Sequence, residues 1–148
     1  MKKLLFIMLI CTAFSFKLKA ADDLKVSNII IENFQQSFPS VENVEWKISK
    51  DVVKASFNNN NEFVTAYYFF DGSYLGYSKP VALDKLPENA IRNFTKNYPS
   101  PLYNLTEVIE VTSPNGEINY YLSLLESKNG KRRILRVSEM GGVYSFND

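Results

Sequence analysis

Five carboxylates in the C-terminal half, Glu107, Glu110, Glu117, Glu126 and Glu139, are of the type from which a glycosidase draws its acid and base. That chemistry needs two of them converging in a cleft, about 5–10 Å apart. Glu107 and Glu110 are the nearest in sequence, but a spacing of three puts them on opposite sides of one strand. The other catalytic residue types are scarce. The chain has no histidine, and its one cysteine is Cys11. This removes the usual general base, the usual transition-metal ligand, and every Ser-His-Asp or Cys-His arrangement. Asp22-Asp23 and Asp71 are too few and too far apart for a calcium loop. The expectation is a protein with no catalytic residues, no metal and no cofactor.

The remaining reactive cluster is basic. Lys131-Arg132-Arg133, with Arg136, could hold an anion or a carboxylate-bearing partner. A solvated hairpin with cross-strand ion pairs to Glu126 or Glu139 explains the same residues, and pairs of that kind are common and individually weak.

The N-terminus sets the compartment. Lys2 and Lys3 precede an apolar run, Leu4 to Phe16, that is short for a membrane span, and Ala20 offers a small residue for cleavage. Residues 1–20 read as a secretory signal peptide cleaved after Ala20, which places the mature chain in the periplasm or outside the cell. No membrane association is then expected. Four lysines leave with the leader, so 17 − 4 = 13 basic residues face 16 acidic ones, a formal charge of −3. An acidic chain is poorly suited to nucleic acid, where affinity rests on a basic surface. Cys11 leaves as well, so stability must come from burial, for which the many Phe and Tyr residues are suited.

The elements that must position these side chains are written twice. Ile31 to Ser40 reads I-E-N-F-Q-Q-S-F-P-S, and sixty positions later Ile91 to Ser100 reads I-R-N-F-T-K-N-Y-P-S. A period this long indicates a duplicated supersecondary unit. In the first copy Val26, Ile30, Phe34 and Phe38 recur every four residues and form one helical face, with Ser27 as N-cap and Pro39 as terminator. In the second, Leu86-Pro87 opens a helix whose stripe is Ala90, Ile91, Phe94 and Tyr98.

Short alternating segments follow each helix. In the first unit they are Val44 to Ile48, Val52 to Phe57, Phe63 to Phe70 and Tyr74 to Tyr77, with turns at Asn58 to Asn61 and Asp71-Gly72. Lys79 to Lys85 reads as a linker. The second unit has Leu105 to Thr112, Ile118 to Ser127, Lys131 to Met140 and Val143 to Phe146, with Gly142 seventy positions after Gly72. The fold expected is α+β: residues 21–80 and 81–148 as two helix-plus-four-strand repeats sharing an antiparallel sheet.

Phe34-x3-Phe38-Pro39-x5-Val44-x-Trp46, then Val53 to Phe57, Asp71-Gly72 and Leu86-Pro87-x2-Ala90-Ile91-x6-Tyr98-Pro99, follow one another in a recognisable order. Together they resemble the PepSY-like, beta-lactamase-inhibitor-like proteins, small exported proteins of Gram-negative bacteria. The resemblance implies a curved antiparallel sheet with both helices behind it and an open face in front. Its motifs are structural, and no inhibitory residue carries over onto this chain. Asp71 is the one carboxylate at a hairpin tip, and inhibition of a beta-lactamase is not expected.

Helices on one face leave the other without cover. From Phe63 to Phe70 the uncovered set is either Tyr67 with Phe69 or Tyr68 with Phe70, since both are apolar. Later strands add Asn119, Tyr121 and Ser123, with Arg132 and Arg136 flanking Ile134. Tyr and Arg dominate binding hot spots, so Tyr67, Tyr68, Tyr121, Arg132 and Arg136 are the candidate contacts for a protein or a glycan of the cell envelope. Cross-strand aromatic pairing that merely stabilises the sheet is the competing explanation. An envelope small-ligand or glycan module and a peptidase inhibitor are the alternative functions.

Overall fold

A computed structural model describes residues 25–138 and 140–146. The expected signal peptide with Cys11, Asp22-Asp23 and Glu139 lie outside the described residues. The elements run α1 (Asn28–Ser37), β1 (Glu45–Ile48), β2 (Val53–Asn59), β3 (Glu62–Tyr68) and β4 (Tyr74–Pro80). A 3-10 turn (Leu83–Lys85) then leads to α2 (Glu88–Asn97), β5 (Tyr103–Thr112), β6 (Ile118–Glu126), β7 (Arg132–Ser138) and β8 (Val143–Ser145). All eight strands form one antiparallel, open sheet in sequence order.

Chain chemistry explains the boundaries. Phe38 and Tyr98 close the two helices, each donating its amide to a carbonyl four residues back (Phe34 and Phe94), and proline follows both. Ser27 holds the N-cap position without a side-chain capping bond, and Pro87 is itself the N-cap of α2 rather than a first-turn residue. Lys79 and Pro80, read from sequence as linker, belong to β4 and pair with Glu110 and Ile109. Proline is tolerated there because it ends the strand, and the next amide, that of Val81, bonds the Val108 carbonyl.

Turn geometry settles the registers. Asn60 and Asn61 both have positive φ (49° and 66°) and make a two-residue turn of the kind that matches strand twist. The Asp71-Gly72 hairpin is wider than two residues. Gly72 N–H bonds the Phe69 carbonyl and Phe69 N–H bonds that of Ser73, with Gly72 left-handed at φ 89°. The β7–β8 hairpin repeats this pattern through Ser138, Gly141 and Gly142, so Gly141, not Gly142, is the geometric counterpart of Gly72. Each tip is also tied to a helix: Asn33 Nδ2 donates to the Gly72 carbonyl (2.9 Å), and Asn89 Nδ2 donates to that of Met140 (2.8 Å).

Both helices lie on the same sheet face. Ile30 and Phe34 of α1 bury against Val53, Ala55, Phe57, Val64, Ala66 and Tyr68, with Trp46 and Ile48 alongside. Ala90 and Phe94 of α2 bury against Val108, Leu122, Leu124, Leu135 and Val137. Tyr77 of the first cluster pairs directly with Thr112, two positions beyond Glu110 and four beyond Val108, so the two clusters share one side.

A bulge at the β3–β4 pairing shifts the register between Tyr67 and Tyr68, leaving Leu75 as the extra residue. Tyr74 and Tyr77, three apart, therefore both reach the α1 core. Burial pushes the Tyr68 phenol up to about 12, opposed by the nearby Ser37 hydroxyl. That hydroxyl directs its own proton to the Asn33 carbonyl, and the Tyr68 oxygen has no hydrogen-bond partner among the described residues. Tyr74 is raised by burial and then by Tyr68 and Tyr77.

Both phenols thus ionise later in the folded chain than in the unfolded one, whose tyrosines titrate near pH 10. Their contribution is fully present below about pH 10 and is lost as pH climbs through 12. Urea midpoints measured from pH 8 to 12 should fall above pH 10, and Tyr68→Phe should flatten that fall. An equally steep fall in Tyr68→Phe would show that this phenol is not the cause.

Candidate functional site

The face opposite the helices is where the sequence placed its candidates. The strand alternation puts Val52, Lys54 and Ser56 there from β2 and its lead-in. Phe63, Thr65 and Tyr67 come from β3, with Phe69 just past its end, and Asn119, Tyr121 and Ser123 from β6. Its centre is a third buried cluster, Val52, Tyr67, Val111, Tyr121 and Ile134, packed against Phe69, Leu75, Ile109 and Phe146. An antiparallel sheet with one face toward water ordinarily alternates apolar and polar. Here both faces are apolar.

This resolves the ambiguity in β3. Tyr67 and Phe69 are on the helix-free side, and Tyr68 is a core residue under α1 with no exposed surface. Tyr67 and Tyr121 are only 2% and 3% exposed, although neither belongs to a helix-side cluster. The Tyr67 hydroxyl shares a 2.9 Å hydrogen bond with Ser78 Oγ, and the Tyr121 ring meets Phe146 edge-on at 6.0 Å. The large aromatic surfaces that remain open lie at the flanks: Phe63, 52% exposed on β3, and Tyr144, 60% exposed on β8.

Polar groups border this cluster. Arg136 donates Nε–H to Asn119 Oδ1 (3.1 Å), and Asn119 Nδ2 donates to Glu117 Oε1 (3.1 Å). Arg136 also lies 4.0 Å from Glu117, an ion pair not foreseen from sequence. Arg132 is exposed four residues back along β7, on the same face and opposite Leu125. Arg133 points to the helix side and lies 3.8 Å from Glu126. The basic run is therefore divided between the two faces.

Glu107 and Glu110 are on opposite faces as well. Burial raises the Glu107 carboxyl above the ordinary range, and Arg132 opposes this. Glu110 sits 3.8 Å from Lys79, whose ammonium also bonds Glu62 at 3.0 Å. Ser123, paired in register with Glu107, has a buried Oγ with no partner among the described residues. No group of three or more Asp and Glu side chains able to hold a metal ion occurs among the described residues.

Lys54 was not singled out by the sequence. It is 8% exposed, its Nζ sits 5.8 Å from the Tyr67 ring centroid, and it makes no ion pair among the described residues. Lys47 is its direct cross-strand neighbour. Burial first, and Lys47 second, lower the Lys54 pKa. The signal was present in the alternation, since Val52, Lys54 and Ser56 share a face. It becomes informative only once the β1–β2 register sets two lysines side by side.

No family model and no curated protein matches the chain. Solved structures do match in fold. A DUF2874 family protein from Bacteroides uniformis superposes with a TM-score of 0.71 at 11% identity, covering 80% of this chain and 86% of that one. A candidate periplasmic protein from Bacteroides eggerthii gives 0.69 at 14% identity, with 80% and 86% covered. A BLIP-like protein from Bacteroides fragilis gives 0.67 at 16% identity, with 82% and 86% covered. At such identities the likeness is one of fold: the chain has a BLIP-like α+β architecture.

Proposed function

We propose that this chain is an exported, non-enzymatic binding protein that engages a macromolecular partner in the cell envelope through the helix-free face of its sheet. The observation that carries this reading is the composition of that face. Val52, Tyr67, Val111, Tyr121 and Ile134 form a buried apolar cluster over which no helix lies among the described residues, and open aromatic surface stands at its flanks. Phe63 and Tyr144 extend it to the surface, and Arg132 and Arg136 supply the charged groups that recur in binding hot spots.

Export is supported by the leader expected over residues 1–20 with cleavage after Ala20, and by a structural neighbour described as a candidate periplasmic protein. No helix among the described residues is long and apolar enough to cross a membrane. Two PepSY-like repeats, residues 21–80 and 81–148, are the reading supported by the I-x-N-F recurrence and by the common hairpin geometry at Gly72 and Gly141. Inhibition of a beta-lactamase is the weaker alternative. Asp71, the carboxylate at a hairpin tip, accepts the Ser73 amide at 2.9 Å and so serves its own turn.

Site-specific photo-crosslinking in exporting cells tests the proposal. A crosslinker at Phe63 or Tyr144 should give adducts, and one at Arg92 on the exposed side of α2 should give none. Equal labelling from both faces, or none from either, would end the reading.

A further inference from the structure

We infer that Lys54 and Lys47 form an anion subsite on the helix-free face, and that its occupant is a carboxylate carried by an acidic peptide segment. The inference rests on the proposed binding role of that face and names the chemistry recognised there. Lys47 and Lys54 are directly opposed on β1 and β2, an arrangement that is destabilising when left alone. Of the two, Lys54 is more than nine-tenths buried, with its ammonium over the Tyr67 ring and no carboxylate within ion-pair distance among the described residues. Glu45, which alternation places on the same side of β1, is exposed and pairs in register with Ser56 rather than with either lysine. A desolvated ammonium beside a like charge is the arrangement an incoming carboxylate relieves.

The surroundings favour a peptide over a glycan. A sugar stacks on an open ring beside its polar contacts, but the ring beside Lys54, that of Tyr67, is buried under the lysine, and the open rings stand apart, Phe63 four residues along β3 and Tyr144 on β8. Apolar contacts are on offer instead at Phe63, exposed on the strand next to β2. Five strand spacings from Lys54, about 24 Å away, the Arg136–Asn119–Glu117 chain borders the same face. A partner of about seven extended residues (at ~3.3 Å each) would reach both ends.

The test uses the mature chain, residues 21–148, and a fluorescein-labelled decapeptide alternating Leu and Glu, with a Leu–Gln control. The Glu peptide should bind more tightly than the control by at least tenfold. Lys54→Met should remove that preference while leaving the chain as stable as the parent or more so. In carbon-13 spectra of labelled lysines, Lys54 should titrate below the ordinary lysine value in the free protein and move upward when the Glu peptide is added. Equal affinity for the two peptides, binding unchanged in Lys54→Met, or no saturable binding of the Glu peptide would each overturn the subsite. Those results leave the crosslinking contrast between the two faces standing, so the two readings fail separately.

Discussion

Phe34→Ala is expected to lower unfolding stability by about 3–5 kcal/mol, the range for emptying a buried phenylalanine site. Phe34 is buried on the inner side of α1, and its ring is the hub of the first core cluster. It meets Trp46 edge-on at 5.2 Å, Phe57 edge-on at 5.1 Å, and Phe38 in a tilted contact at 5.3 Å. Three aromatic neighbours cannot collapse into the vacated volume without giving up their own preferred geometry. Phe94 is the natural comparison, because it occupies the matching place in α2 but has one ring contact among the described residues, stacked on Tyr98 at 6.0 Å. Leucine and valine side chains line its other sides and can shift to fill the gap. Urea unfolding of the two variants should therefore rank Phe34→Ala as the more damaging. A smaller loss than in Phe94→Ala would show that the aromatic hub is not the keystone of the first core.

How much of this was legible beforehand depends on where the two periodicities agree. Both helices were readable because Phe34 and Phe94 recur within a repeated frame and an X-Pro stop follows each. The strands were readable from alternation, as with Trp46 and Ile48 on one side of β1. The face of β3 was not, because Tyr67 and Tyr68 are both apolar and the sheet is apolar on both sides. Only pairing with Val53, Ala55 and Phe57, which α1 covers, decides it. Alternation also misleads at Tyr74 and Tyr77, where the bulge turns a three-residue spacing into a shared face. Lys54 stayed hidden for a similar reason. A lysine among apolar residues is unremarkable in one strand and becomes a candidate site only when its neighbour across the ladder proves to be Lys47.

Gly76→Ala should cost about 3 kcal/mol or more, from backbone strain combined with overpacking. Gly76 sits beside the bulge at φ 115°, a conformation that side-chain-bearing residues rarely adopt. A Cβ built there would lie 2.2 Å from the Thr112 carbonyl oxygen, and a backbone atom cannot swing aside as a flexible side chain can. The location magnifies the effect. Thr112 belongs to β5, and the β4–β5 ladder from Tyr77↔Thr112 to Pro80↔Ile109 is the pairing that joins the first four strands to the last four. Tyr67, the direct partner of Gly76 on β3, lies in the helix-free cluster, so the same displacement would disturb the proposed binding face. Gly116→Ala separates the two causes. Gly116 also has positive φ, 82°, but nothing within 4 Å of a built Cβ, so it should lose only the conformational part, about 1–2 kcal/mol. Chemical denaturation of the two variants gives the difference directly. If Gly76→Ala costs no more than Gly116→Ala, the seam between β4 and β5 is able to yield, and the close approach to Thr112 does not hold the two halves of the sheet in register.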